Sequence, residues 1–110
     1  MNVHFVYITA SSEEEAAQIG KEMVKARLAA CANIIGPIRS YYWWEGELQE
    51  DKEAVVILKT REELVGKLIH SVKAIHSYDC PCVVSLAVVE GNPDFLKWIC
   101  DETTISGTGT

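Results

Sequence analysis

Hydrophobic residues fall into two rhythms along the chain, dense or alternating runs and runs spaced by three and four, and each rhythm predicts an element. Val3 to Thr9 is β-branched and aromatic throughout, which predicts a first strand buried on both faces. Ser12-Glu13-Glu14-Glu15 has the form of a capping box, in which the serine oxygen takes an orphan N–H and Glu15 returns to the serine N–H. Ala16, Ile19, Met23, Ala26 and Ala30 then recur at helical spacing, with Lys21, Glu22 and Lys25 between them, predicting an amphipathic helix to about Ala29. From Ala32 to Trp44 the pattern is strand-like again, broken at Gly36-Pro37. Proline cannot donate to a ladder, so that pair predicts a bulge or bend within one long strand near an edge. Glu45-Gly46 reads as a tight turn, and Glu47 to Asp51 opens a return strand whose apolar part is Ala54 to Leu58.

Thr60-Arg61-Glu62-Glu63 repeats the capping-box form, and Leu64, Val65, Leu68, Val72 and Ile75 give a second helix its stripe. Ser77 to Pro81 breaks it, and Cys82 to Val89 is a further strand with apolar residues on both faces. Asn92-Pro93-Asp94 opens a short third helix with a cap, a proline at the first helical position and a first-turn acid. The order is β-α-β-β-α-β plus a helix, an α+β, ferredoxin-like antiparallel sheet with two helices on one face. It forms one domain over 1–102. The tail, 103–110, is Thr/Ser/Gly-rich, lacks periodicity and is expected to be disordered.

Composition narrows the class. A chain of 110 residues holds one domain on a prior of roughly 100–200 residues each, and 48% hydrophobic with 24% charged residues is globular. A domain this small buries only about two-thirds of its unfolded surface, so part of its apolar content is available for contacts between copies. Ten Lys and Arg against 16 Asp and Glu give a net charge of −6, and the cations are scattered singly. Nucleic acid is therefore not an expected partner, because it needs clustered cations. The N-terminus lacks the pattern of a signal peptide and no apolar run approaches the ~20 residues of a membrane span, so a cytoplasmic protein with reduced Cys31, Cys80, Cys82 and Cys100 is expected.

Two stretches carry chemistry. Tyr41-Tyr42-Trp43-Trp44 places two aromatics on each face of a strand, and reads either as an aromatic core strand or, since the chain is too short to cover both faces, as a subunit interface. His76-Ser77-Tyr78-Asp79-Cys80-Pro81-Cys82 gathers an imidazole, a phenol, a carboxylate and two thiols, donors suited to copper(I) or zinc(II). Cys-Pro-Cys matches no standard zinc spacing, however, and packing is the competing reading of all four cysteines. No G-x-S-x-G, P-loop, G-x-G-x-x-G or H-E-x-x-H occurs, so neither an enzyme nor an organic cofactor is expected.

Arg27 to Ile35, Trp44-Glu45-Gly46-Glu47, Leu58-Lys59-Thr60, His76 to Pro81, and Gly91-Asn92-Pro93 with Trp98-Ile99 together resemble the CutA1 family of divalent-cation tolerance proteins, over about Val3 to Glu102. The resemblance implies a homotrimer joined through the long aromatic hairpin, broadly like the PII signalling proteins, and binding of copper or another divalent cation in a response to metal ions. It also implies a cleft between subunits lined by Cys31, Asn33, Trp44, Lys59, Tyr78 and Asp79, in which Lys59 offers a cation to an anionic ligand. The alternative is a trimeric signalling or scaffold module that binds a small anion or a partner protein in that cleft. The family pattern His-Pro-Tyr-Glu-x-Pro is met by His76, Tyr78 and Pro81, with Ser77 and Asp79 departing from it. Two positions that ligate copper in family members correspond to Ile8 and Ile75, which leaves His76, with Cys80 and Cys82 as a local substitute set.

Overall fold

The computed structural model describes residues 2–103. Strand β1 (Val3–Ala10), helix α1 (Glu13–Lys25), strands β2 (Cys31–Trp44) and β3 (Glu47–Arg61), helix α2 (Glu62–Ile75), strand β4 (Val83–Ala87) and helix α3 (Pro93–Glu102) follow in that order. The strands make one antiparallel sheet in the order β2-β3-β1-β4, the expected ferredoxin-like arrangement with an added C-terminal helix. Alternation sends Val6, Ile8 and Ala10 of β1 into a core with Ala16, Ile19 and Met23 of α1 and Leu64, Leu68 and Val72 of α2. Phe5, Tyr7 and Thr9 point the other way and are only half-buried, so β1 is fully covered on one face rather than two. Helix α3 covers the far end of that second face, where Lys59 Nζ lies 5.3 Å from the Phe5 ring and 5.4 Å from the Phe95 ring.

Helix α1 begins where expected, with the Ser12 hydroxyl accepting from the Glu15 N–H at 3.1 Å. It ends earlier than its apolar spacing suggests. Arg27 takes a left-handed conformation (φ 63°), its N–H bonds to Val24 O, and the Leu28 N–H reaches back to Met23 O, which is a Schellman closure without glycine. Leu28 and Ala29 are thereby turned into the core, while the Arg27 guanidinium is held at 2.9 Å by Glu102. Gly20 lets α1 sit close to the sheet, since a Cβ there would lie 2.9 Å from that of Ala32.

Hairpin β2-β3 outgrows the domain. Gly36 and Pro37 oppose the single residue Ala54, an extra residue that makes the expected bulge in an edge strand. The connecting turn has positive φ at both Glu45 (50°) and Gly46 (79°), the two-residue form that suits strand twist. The molecule extends to 49 Å in its longest direction, and beyond the bulge the cross-strand pair Trp43 and Leu48 is 73% and 62% exposed.

Three expectations change. Thr60 does not cap α2: it is fully buried at the end of β3, and its hydroxyl donates to Leu28 O at 2.7 Å, so α2 starts at Glu62 with no side-chain cap. The last strand forms over Val83–Ala87 instead of 82–89, and as the second edge it leaves Val84 and Leu86 exposed. Thr103, assigned to the tail from sequence, is buried and donates to Ile99 O, closing α3. Positions 104–110 lie outside the described residues. A Thr60→Val variant keeps the shape but strips Leu28 O of its donor, and should lower unfolding free energy in a urea titration by about 1–2 kcal/mol. An unchanged midpoint would show that solvent reaches that carbonyl.

Candidate functional site

The segment joining α2 to β4 is tied down from three sides. His76 caps α2 through its N–H to Val72 O, and its buried imidazole bridges two backbone groups. A carbonyl can only accept, so His76 Nε2–H donates to Thr9 O at 2.8 Å. Nδ1 accepts the Tyr78 N–H at 3.0 Å. The ring is therefore the neutral Nε2–H tautomer, and it packs against Tyr78 with centroids 4.8 Å apart. Tyr78 in turn donates its hydroxyl to Glu53 of β3 at 2.7 Å.

Glu15 supplies the third tie. Its carboxylate accepts from the N–H and hydroxyl of Ser11, at 2.9 and 2.8 Å, and from the N–H and hydroxyl of Ser77, at 2.8 and 2.9 Å. The expected return to the Ser12 N–H is replaced by this clamp between the start of α1 and the end of α2. Burial pushes the Glu15 carboxyl up, but the four donors from Ser11 and Ser77 outweigh it and hold it down at about 2.

Between this segment and the root of the hairpin lies a cavity of about 430 Å³. Strand β1 contributes Thr9, β2 contributes Ser40, Tyr42 and Trp44, β3 contributes Glu53, and the segment contributes Tyr78, Asp79, Cys80 and Cys82. The bulge makes this possible, because the extra residue at Gly36-Pro37 shifts the alternation of β2 and brings Ser40, Tyr42 and Trp44 to the face of Glu53. Of the residues singled out from sequence, Trp44, Tyr78, Asp79, Cys80 and Cys82 meet here. Cys31, Asn33 and Lys59 do not: Cys31 pairs with Lys59 at the other end of the sheet, about 20 Å along β3 from Glu53 at ~3.3 Å per residue. There the Cys31 thiol points to Asn33 Oδ1 at 3.8 Å. Glu53 escaped the sequence reading, Tyr42 was read only as part of an aromatic core or interface strand and Glu15 only as a helix cap, although the bulge signal at Gly36-Pro37 was available to place the first two.

His76 has both ring nitrogens engaged, Ile8 is buried with no donor to offer, and Ile75 has none either. Among the described residues no group of three His, Cys, Asp or Glu side chains is placed to hold an ion. Cys80 and Cys82 are exposed thiols on the cavity wall, and His76 is a structural bridge behind it.

Fold and site together describe a small α+β, ferredoxin-like module that carries a ligand-sized cavity at the base of an overhanging hairpin. The chain belongs to the CutA1 family, described as divalent ion tolerance proteins, whose family model matches residues 4–102. It is 46% identical over 100 residues to the divalent-cation tolerance protein CutA of Archaeoglobus fulgidus, covering 91% of this chain and 96% of that one. The solved structure described as the periplasmic divalent cation tolerance protein CutA from that organism superposes with a TM-score of 0.90 at 42% identity, over 93% of this chain and 99% of the other. CutA1 from Oryza sativa superposes with a TM-score of 0.90 at 39% identity, over 96% of each chain.

Because the Glu15 carboxyl is held below its ordinary value of 4.5, its contribution is complete above about pH 4.5 and is lost as pH falls toward 2. A Glu15→Gln variant should lose about 1.5–3 kcal/mol at neutral pH, the range for hydrogen bonds to a charged group, and the gap from wild type should narrow between pH 4.5 and 2 in thermal unfolding. A gap that stays constant with pH would show that the amide satisfies the serines equally well.

Proposed function

We propose that this chain takes part in divalent-cation tolerance as a homotrimeric binding protein rather than an enzyme, with a ligand cavity in each subunit at the root of the hairpin. One observation carries the reading: Tyr41, Trp43 and Leu48 stand exposed together on the face of the hairpin turned away from the cavity. Apolar area left in water forgoes about 25 cal/mol per Å², so a contiguous patch of this kind calls for a second surface. The number three follows the family resemblance. Exposed thiols at Cys80 and Cys82 favour a reducing compartment, which supports a cytoplasmic location, although the Archaeoglobus fulgidus structure is described as periplasmic. No described helix is long and apolar enough to cross a membrane.

Metal binding is the finer part of the proposal. Cys80, Cys82 and Asp79 line one cavity wall, so two soft donors and one hard one are available, and the remaining ligands would come from another subunit.

Two measurements test this. Analytical ultracentrifugation at micromolar concentration should give a mass near three times 12.2 kDa for the wild type and a markedly smaller mass for a Trp43→Glu, Leu48→Glu double variant. A wild-type monomer would sink the assembly reading. Copper or zinc added to the reduced protein should raise the thermal midpoint with concentration, and a Cys80→Ser, Cys82→Ser variant should lose most of that rise. Equal metal-dependent shifts in both proteins would remove the thiols as ligands.

A further inference from the structure

We propose that the cavity at the root of the hairpin is a receptor for a small organic ammonium ion. The inference rests on the reading of that cavity as a ligand site and adds the chemistry of what it takes. Three aromatic rings reach it, Tyr42 and Trp44 from alternate positions on β2 and Tyr78 from the segment after α2. The polar groups beside them are the carboxylates of Glu53 and Asp79 and the hydroxyls of Thr9 and Ser40, and none of the lining residues is Lys, Arg or His. Negative ring faces and acceptors in one cleft are complementary to a cation and unsuited to an anion.

Lys59 does not line this cavity and lies over the rings of Phe5 and Phe95. Both phenols hold their protons. Burial and the hydrogen bond to Glu53 push the Tyr78 hydroxyl up, and the hydrogen bond to Asp51 does the same for Tyr42. Their hydrogens are thus directed at protein carboxylates, and both phenols line the cavity as neutral rings. Ring walls also decide between kinds of cation. A hard divalent ion seeks six or more oxygen ligands, whereas a bulky, weakly hydrated ammonium is satisfied by aromatic faces with one or two carboxylates.

The test is titration of the reduced, metal-free assembled protein with tetramethylammonium chloride, followed through the backbone amide NMR shifts of Tyr78, Asp79, Cys80 and Cys82. The expected result is saturable shifts that sodium chloride at equal ionic strength does not reproduce, with the neutral isostere tert-butanol binding at least about tenfold more weakly. Glu53→Gln and Asp79→Asn should each weaken tetramethylammonium by roughly tenfold. The Asp79 variant, on an exposed segment, covers the case in which loss of the Tyr78 partner perturbs folding. Saturation by inorganic phosphate or tert-butanol without saturation by tetramethylammonium overturns the ammonium assignment and leaves the ligand cavity standing. Silence of those amides toward all three probes overturns both.

Discussion

Strand β3 is fifteen residues long and the strand beside it, β1, is eight, and most of what distinguishes this molecule follows from that mismatch. Over Ala54 to Arg61, β3 is supported by β1 on one side and by helices beneath, and there its side chains are buried or half-buried. Beyond Ala54, which pairs with the last residue of β1, its only strand neighbour among the described residues is β2. The bulge falls at that step, with Gly36 and Pro37 facing Ala54. The step also leaves a re-entrant corner, and the segment after α2 closes it into a cavity.

That closing segment has little regular structure, so its shape depends on polar ties. Glu15 ties it to α1, His76 to the end of β1, and Tyr78 to the hairpin through Glu53. Each uses a partly buried group with its hydrogen bonds satisfied, and desolvation of such groups is tolerable only under that condition. Position 77 illustrates the point. Where the family resemblance has proline, Ser77 contributes an N–H and a hydroxyl to the Glu15 clamp, and a proline could contribute neither.

The order of elements was legible because hydrophobic spacing is a local property. Ser12 and Asn92 announced their helices, Glu45-Gly46 its turn, and Gly36-Pro37 its bulge. What escaped depended on residues far apart in the chain. Thr60 looks like a helix cap until Leu28, thirty-two residues away, turns out to need its hydroxyl. Arg27 carries no sign of a left-handed residue, since that conformation is imposed by burial of Leu28 and Ala29. The cluster from His76 to Cys82 was visible as donor chemistry. That Thr9 O and the Tyr78 N–H use both imidazole nitrogens was not. Within one chain Cys31, Asn33 and Lys59 lie at the opposite end of β2-β3 from Trp44, so any cleft that joins them is one between subunits.

The Gly36-Pro37 bulge also bears on a hazard. Strand β2 is an edge of fourteen residues, and its outer side is a template on which another extended chain could grow. Proline offers no N–H to such a newcomer, and the extra residue breaks the ladder's register, so the edge is divided into two short stretches. Arg39 stands two residues after Pro37, and on the paired strand Lys52 lies opposite it. The residues that bend the hairpin into position for a cavity therefore also guard the newly made chain against uncontrolled strand addition.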